Sequence, residues 1–177
     1  MFQLILTVFS IALISLLAVA SINYLPAWNN EAIDVEAKVR TGLGSVEQAY
    51  DVATRAQDGL PPPVTAEQDG GFRAGFLPYL RLMPPSPIGY TWNYGRYPSD
   101  SSAWSNLNYF CLSPSAGASS STTGEIRGIY RAKSMFSGDQ FFVSTQCGST
   151  VNSPRENAPS LLLHVTFFVA YTPGVTR

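Results

Sequence analysis

The hydrophobic pattern divides the chain into an apolar start, an amphipathic continuation and a mixed remainder. From residue 1 to residue 30 there is no Asp, Glu, Lys, Arg or His, and Glu31 is the first charged side chain. About 20 apolar residues are enough for a helix to cross a hydrocarbon core of about 30 Å. A helix also satisfies its own backbone hydrogen bonds without water. The run therefore predicts a membrane-competent helix over residues 1–30.

A second helical pattern follows the apolar run. Its apolar residues recur at steps of three and four, which is the period of one helix face. They are Val35, Val39, Leu43, Val46, Tyr50 and Ala53. Charged residues occupy the other sides, and Asp58, Gly59 and three prolines end the pattern. We expect a helix over 31–58, with Val35, Val39, Leu43, Val46 and Tyr50 packed on a sheet. If the two halves are continuous, one rod runs from about residue 2 to 57, kinked or melted near Pro26.

The pattern over residues 59–177 predicts one β-rich head domain. Runs that are alternating or apolar predict strands over 90–97, 106–112, 125–132, 139–147 and 161–171. The last run would aggregate if it formed an open edge, so we expect it to be central in the sheet. Its face containing Leu163, Val165 and Phe167 is expected to pack on the amphipathic helix.

Two features of the head have alternative interpretations. Tyr90, Trp92 and Tyr94 share one strand face, which suits either a sugar-binding surface or, as we prefer, packing of the sheet over a long helix. Residues 113–124 are small and polar, which is typical of an exposed loop. That loop is either a plain connection, which we prefer, or a glycan acceptor or antigenic tip.

Composition excludes several classes of function. Only 13% of residues are charged, the net charge is −1 and the 11 Lys and Arg are scattered, so we expect no nucleic-acid partner. The single histidine, His164, has no neighbouring catalytic motif, and no glycine-rich phosphate loop is present. We therefore expect neither enzymatic activity nor a cofactor.

The two cysteines are 36 positions apart, which is not the close spacing of a metal-binding pair. Behind a membrane-targeting segment the head would reach an oxidising compartment, where we expect a disulfide between Cys111 and Cys147. Two buried free thiols are the alternative.

An apolar helix, Pro26, an amphipathic helix and a β domain with Cys111 and Cys147 together resemble a type IV pilin or pilin-like protein. The resemblance implies an α+β fold in which a long N-terminal α-helix packs against an antiparallel β-sheet, the pilin-like ladle fold. It also implies an extracellular filament that polymerises through the apolar helix. The residues expected to make that contact are Leu6, Phe9, Leu13, Leu16, Leu17 and Pro26.

If Met1 is the first mature residue, Ile5 stands where pilins usually have a glutamate. The basic leader typical of pilins is not visible in the sequence, which removal of a leader before Met1 would explain. A divergent or minor pilin fits these departures. The expected partners are copies of the same chain, the inner membrane before assembly and an energy-driven pilus assembly machine. The alternatives are a minor or tip pilin in adhesion or priming, a membrane-anchored extracytoplasmic binding domain that never polymerises, and a secretory signal cleaved after Ala20.

Overall fold

The computed structural model describes residues 2–23, 27–64, 72, 75–99, 102, 104–105 and 107–169. Within these ranges the helices are α1 (Phe2–Asn23), α2 (Ala27–Ala56) and α3 (Thr123–Lys133). The strands are β1 (Tyr90–Arg96), β2 (Asn108–Pro114), β3 (Phe141–Ser144) and β4 (His164–Phe168). Short 3₁₀ helices cover Leu77–Tyr79 and Arg155–Ser160.

Both halves of the predicted rod are helical. The predicted kink at Pro26 lies on residues 24–26, outside the described part of the chain, so the single continuous rod stays a prediction. In α1 the side chains are described for residues 7–17. Among the described residues, no helix combines the length and apolar character needed to cross a membrane.

The four strands form one antiparallel sheet in the order β1-β2-β4-β3. The register pairs Trp92 with Leu112, Phe110 with Phe167, and Val143 with Val165. Because alternate side chains point to opposite faces of a strand, these residues share one apolar face. The last strand of the sequence is internal, as predicted, because β2 and β3 pair on either side of it.

A layer of two helices covers that face of the sheet. Helix α2 lies along α3, and both contribute to a single core with the sheet. Ile126 and Ile129 of α3 are buried in it. Phe72 and Phe76 fill the core beside β1 and β2, where Phe76 lies 4.9 Å from Tyr94 between ring centroids. The described fold is therefore α+β, with helices packed on one face of an antiparallel sheet, which confirms the predicted class at this level.

The predicted strand over 125–132 is wrong, because this segment belongs to α3. Thr122 and Glu125 form a capping box: the Thr122 hydroxyl accepts from the Glu125 amide, and the Glu125 carboxylate accepts from the Thr122 amide. Such reciprocal bonds satisfy two of the free amides at a helix start. Buried residues then follow at helical spacing, namely Gly124, Ile126, Gly128, Ile129 and Ala132.

The last two strands are shorter than predicted. β4 covers His164–Phe168, and the preceding residues include the 3₁₀ helix Arg155–Ser160. The outer edge of β3 is covered by the following loop: the Val143 amide donates to the Asn152 side chain, and the Ser153 amide donates to the Val143 carbonyl. These bonds protect a sheet edge that would otherwise be open to pairing.

Candidate functional site

The first candidate site is the surface of α1. Residues 7–17 are all exposed, and their large hydrophobic side chains are between 59% and 71% exposed. They are Val8, Phe9, Ile11, Leu13, Ile14, Leu16 and Leu17. Since this stretch covers about three helical turns, the apolar residues face every direction around the helix. Of the residues predicted for polymerisation, Phe9, Leu13, Leu16 and Leu17 lie here, whereas Pro26 and the Leu6 side chain lie outside the description.

One polar group on this surface, the Ser15 hydroxyl, has its hydrogen-bond partner within the helix. The Ser15 hydroxyl donates to the Ile11 carbonyl at 2.8 Å, so its hydrogen bond is made within the helix. In an apolar environment, whether lipid or neighbouring helices, burying a hydrogen-bonded hydroxyl costs much less free energy than burying one without a partner.

Helix α2 attaches this apolar surface to the head. All five residues predicted to pack on the sheet are buried, and Val39 and Val46 are completely inaccessible. Tyr50 lies at the sheet, with its ring centroid 6.2 Å from that of Phe110 in an edge-on arrangement. The buried Asn108 side chain donates to the Tyr50 hydroxyl at 3.0 Å. The polar end of Tyr50 is therefore satisfied inside the core.

The packing partner of the first turns of α2 is α3. A Cβ placed on Gly128 would lie 2.6 Å from the Ala32 carbonyl oxygen. Real Cβ atoms do not approach this closely, so only glycine permits the observed distance between the two helices. The predicted packing of α2 on a sheet missed this helix-on-helix contact, although the chain contains the helix-capping sequence Thr122-x-x-Glu125.

Polar contacts fix the start of α2 to the start of α3. The Thr122 hydroxyl donates to Glu31 at 2.6 Å, and the Arg127 guanidinium lies 3.6 Å above the centre of the Trp28 ring. The carboxylate of Glu31 also lies near the N-terminus of α3, where the helix dipole favours negative charge. The pKa of Glu125 is raised, mainly because the carboxyl group is partly buried. The nearby Glu31 adds to this shift, and the hydrogen bonds with Thr122 oppose it. These contacts hold the head to the first turns of α2.

The second candidate site is the outer face of the sheet, opposite the helices. The predicted disulfide between Cys111 and Cys147 is confirmed and joins β2 to the loop after β3. The His164 Nδ1 atom lies 3.5 Å from the Cys147 sulfur. Burial lowers the pKa of His164, since desolvation disfavours the charged imidazolium.

Two shallow clefts adjoin this disulfide. One, of ≈ 460 Å³, is lined by residues that include Tyr109, Cys147 and His164. The other, of ≈ 480 Å³, shares Tyr109 and Cys147 and extends to Val151. Neither set of described lining residues contains a carboxylate side chain. Of the aromatic row predicted as a possible sugar surface, Tyr90 and Trp92 are buried in the core and Tyr94 lines the first cleft, so the three side chains do not form one exposed surface.

Comparisons with known proteins give no relative. The sequence matches no protein-family model, no curated protein and no solved structure.

Proposed function

We propose that the chain is a structural subunit of an extracellular, type IV pilus-like filament and polymerises through its apolar N-terminal helix. The observation that carries this proposal is the exposed hydrophobic surface of α1 over residues 7–17. Isolated exposed hydrophobic residues are ordinary on soluble proteins, but a contiguous apolar surface marks an interaction site. A surface that surrounds a helix requires partners on every side, and a bundle of identical helices supplies them.

The attachment of α2 supports the same proposal. A simple membrane anchor needs only a tether, whereas α2 is packed into the head along one face and fixed to α3 by the Glu31 and Trp28 contacts. A firm joint of this kind suits a filament, in which each head must keep one orientation on the outer wall. As part of this proposal, the long N-terminal helix and the sheet together form the pilin-like ladle fold.

Burial of apolar surface also supplies the free energy that favours assembly over dispersed helices in water. Removing hydrophobic surface from water contributes about 25 cal/mol per Å², which favours helix bundling once the helices have left lipid. Lipid is itself as apolar as the helix surface, so extraction has to be driven. The proposal therefore includes residence in the inner membrane before assembly and an energy-consuming assembly machine as partner.

The test places a charge on α1. In cells that assemble the filament, the Leu13→Asp and Leu16→Arg variants are expected to abolish filaments, since burying an unpaired charge among apolar helices is costly. Filaments sheared from the cells are counted by electron microscopy, and their subunits are identified by mass spectrometry. The matched control is Leu82→Asp, because Leu82 is 83% exposed on the head rather than on α1.

Each outcome separates the candidate functions. Abundant filaments of this chain that disappear only in the α1 variants support the proposal, provided that the variant heads still form their disulfide. Filaments that contain the chain only in traces indicate a minor or tip subunit. Normal assembly of the charged variants, or full native function of the head without α1, contradicts the proposal.

A further inference from the structure

Three residues that could ligate a metal lie together on the outer face of the sheet. The sulfur atoms of Cys111 and Cys147 and a ring nitrogen of His164 all lie within 4.8 Å of one another. Cys111 lies within β2, His164 opens β4, and Cys147 follows β3. The sequence spacing of the two cysteines gave no reason to expect a metal site, and the third ligand is supplied only by the pairing of β2 with β4.

The geometry between Cys147 and His164 fits tetrahedral coordination. Zinc binds sulfur at about 2.3 Å and imidazole nitrogen at about 2.0 Å, so a tetrahedral angle separates the two ligand atoms by about 3.5 Å. The Cys147 sulfur and His164 Nδ1 are 3.5 Å apart. On reduction the two sulfurs have to separate to about 3.8 Å to share one ion at these bond lengths. Since Cys147 lies in a loop rather than in a strand, it can supply this movement.

The surroundings leave a path for an ion. Cys147 and His164 line the cleft of ≈ 460 Å³, which opens to solvent. Cys111, beneath them, is completely buried. The backbone after Cys147 is held to β4, because the Gly148 amide donates to the Thr166 hydroxyl at 3.0 Å. Two sulfurs and one imidazole with an open fourth position form a known type of zinc ligand set.

We propose that the reduced chain binds one thiophilic divalent cation of the zinc class through Cys111, Cys147 and His164, with the fourth position open to the cleft. A dithiol reductant supplies the two electrons and two protons that convert the disulfide into two thiols, and itself becomes a cyclic disulfide. Metal binding then releases both thiol protons to water. The disulfide and the metal site use the same sulfurs, so they exclude each other. This proposal does not depend on filament assembly.

The test uses the full chain in detergent micelles with Co²⁺ as a spectroscopic probe. The protein is reduced with dithiothreitol, freed of reductant under nitrogen and titrated with Co²⁺. One equivalent is expected to produce thiolate-to-cobalt charge transfer and the strong visible bands of tetrahedral Co²⁺, which Zn²⁺ then abolishes. The oxidised protein is the first control and is expected to give neither signal.

The variant His164→Gln tests the third ligand. It is expected to weaken Co²⁺ binding by at least about tenfold, since even changes to residues that only orient a metal ligand have effects of this size. The matched control is Thr145→Ala, which alters an exposed residue of the same cleft and is expected to bind as the parent does.

Circular dichroism shows whether the reduced protein is folded with and without metal, so loss of binding can be distinguished from loss of the fold. A fold retained or restored by one equivalent of metal supports the site. Three results overturn it: no tetrahedral spectrum in the reduced chain, equal binding by the His164→Gln variant, or a reduced chain that stays unfolded with metal present.

Discussion

At the scale of residues, α2 presents two contrasting environments on one helix. Leu43 is 1% exposed and lies in the core, whereas Ile33, ten positions earlier, is 52% exposed. Both are large aliphatic residues, so sequence alone gives them the same intrinsic hydrophobicity. Their different burial follows from the helical period, which turns Leu43 toward the core and Ile33 away from it.

This contrast yields a stability prediction. Leu43→Ala is expected to reduce the free energy of unfolding of the head by about 2 to 5 kcal/mol, because it removes buried methyl groups and leaves a cavity. Ile33→Ala, the matched control, is expected to change it by less than about 0.5 kcal/mol. Urea denaturation followed by circular dichroism measures both. Equal effects at the two positions would contradict the described packing of α2.

A second residue-scale prediction concerns alkaline stability. Burial is the main reason that the pKa of Tyr90 is raised from the ordinary tyrosine value of about 10 to about 12. A hydrogen bond with Ser121 opposes this shift, and the charge of Glu125 adds to it. Between these two pH values the unfolded chain loses the phenol proton while the folded chain keeps it. Unfolding then releases protons, so stability is complete below about pH 10 and falls as the pH rises toward 12.

The Tyr90→Phe variant cannot ionise at this position. It is therefore expected to lose stability less steeply than the parent over this alkaline range, although Tyr94 and Tyr109, whose pKa values are also raised by burial, keep part of the slope. The free energy of unfolding is measured at a series of pH values. An unchanged slope would show that the Tyr90 phenol is not protected in the fold.

At the scale of elements, the contact between α2 and α3 determines how the head is joined to α2. Gly128 allows the α2 backbone at Ala32 to approach α3, and the side chain of Val35 fills the adjoining space. Glycine disfavours a helix by about 1 kcal/mol relative to alanine. Helix propensity therefore does not explain Gly128 inside α3, whereas the close packing of α2 against α3 does.

A pair of glycine substitutions tests this reading. Gly128→Ala is expected to destabilise the head by about 1 to 3 kcal/mol through overpacking, despite its better helix propensity. Gly44→Ala is the control, because nothing lies within 4 Å of a Cβ at that helical position. It is expected to be neutral or to stabilise by up to about 1 kcal/mol. Thermal unfolding compares the two, and stabilisation by both would contradict the close approach.

At the scale of the whole molecule, the disulfide joins distant parts of the outer sheet face. Cys111 and Cys147 are 36 positions apart, and the enclosed segment includes α3 and β3. In the chain-entropy account, closing a loop of this length stabilises the fold by about 4 kcal/mol, mainly by restricting the unfolded chain.

Removal of the bridge by Cys111→Ala with Cys147→Ala is therefore expected to reduce the free energy of unfolding by about 4 kcal/mol. Urea denaturation of the variant and of the oxidised parent measures the difference. Intact-mass analysis after alkylation supplies the control, since the native parent should take up alkylating agent only after reduction. Alkylation of both thiols in the unreduced native protein would contradict the bridge.

The sequence by itself determined the features that depend on local order along the chain. The charge-free start and the three-and-four spacing from Val35 to Tyr50 predicted two helical segments, and alternation predicted β1. The expected disulfide and the internal position of the last strand also agree with the structure. The helices and β1 follow from periodicity, which neighbouring residues carry without reference to the rest of the fold. The disulfide followed from the presence of two cysteines behind a membrane-targeting segment, and the internal strand from the aggregation hazard of a long apolar edge.

The tertiary structure decided the features that depend on contacts between distant segments. The segment 125–132 contains β-branched and aromatic residues that suit a strand, yet its capping box and its packing against α2 make it helical. Likewise, Cys147 and His164 come together only because β4 pairs with both β2 and β3. Burial against a partner outweighs intrinsic propensity, since propensities differ by less than about 1 kcal/mol per residue whereas a buried side chain contributes about 1.5 to 3 kcal/mol.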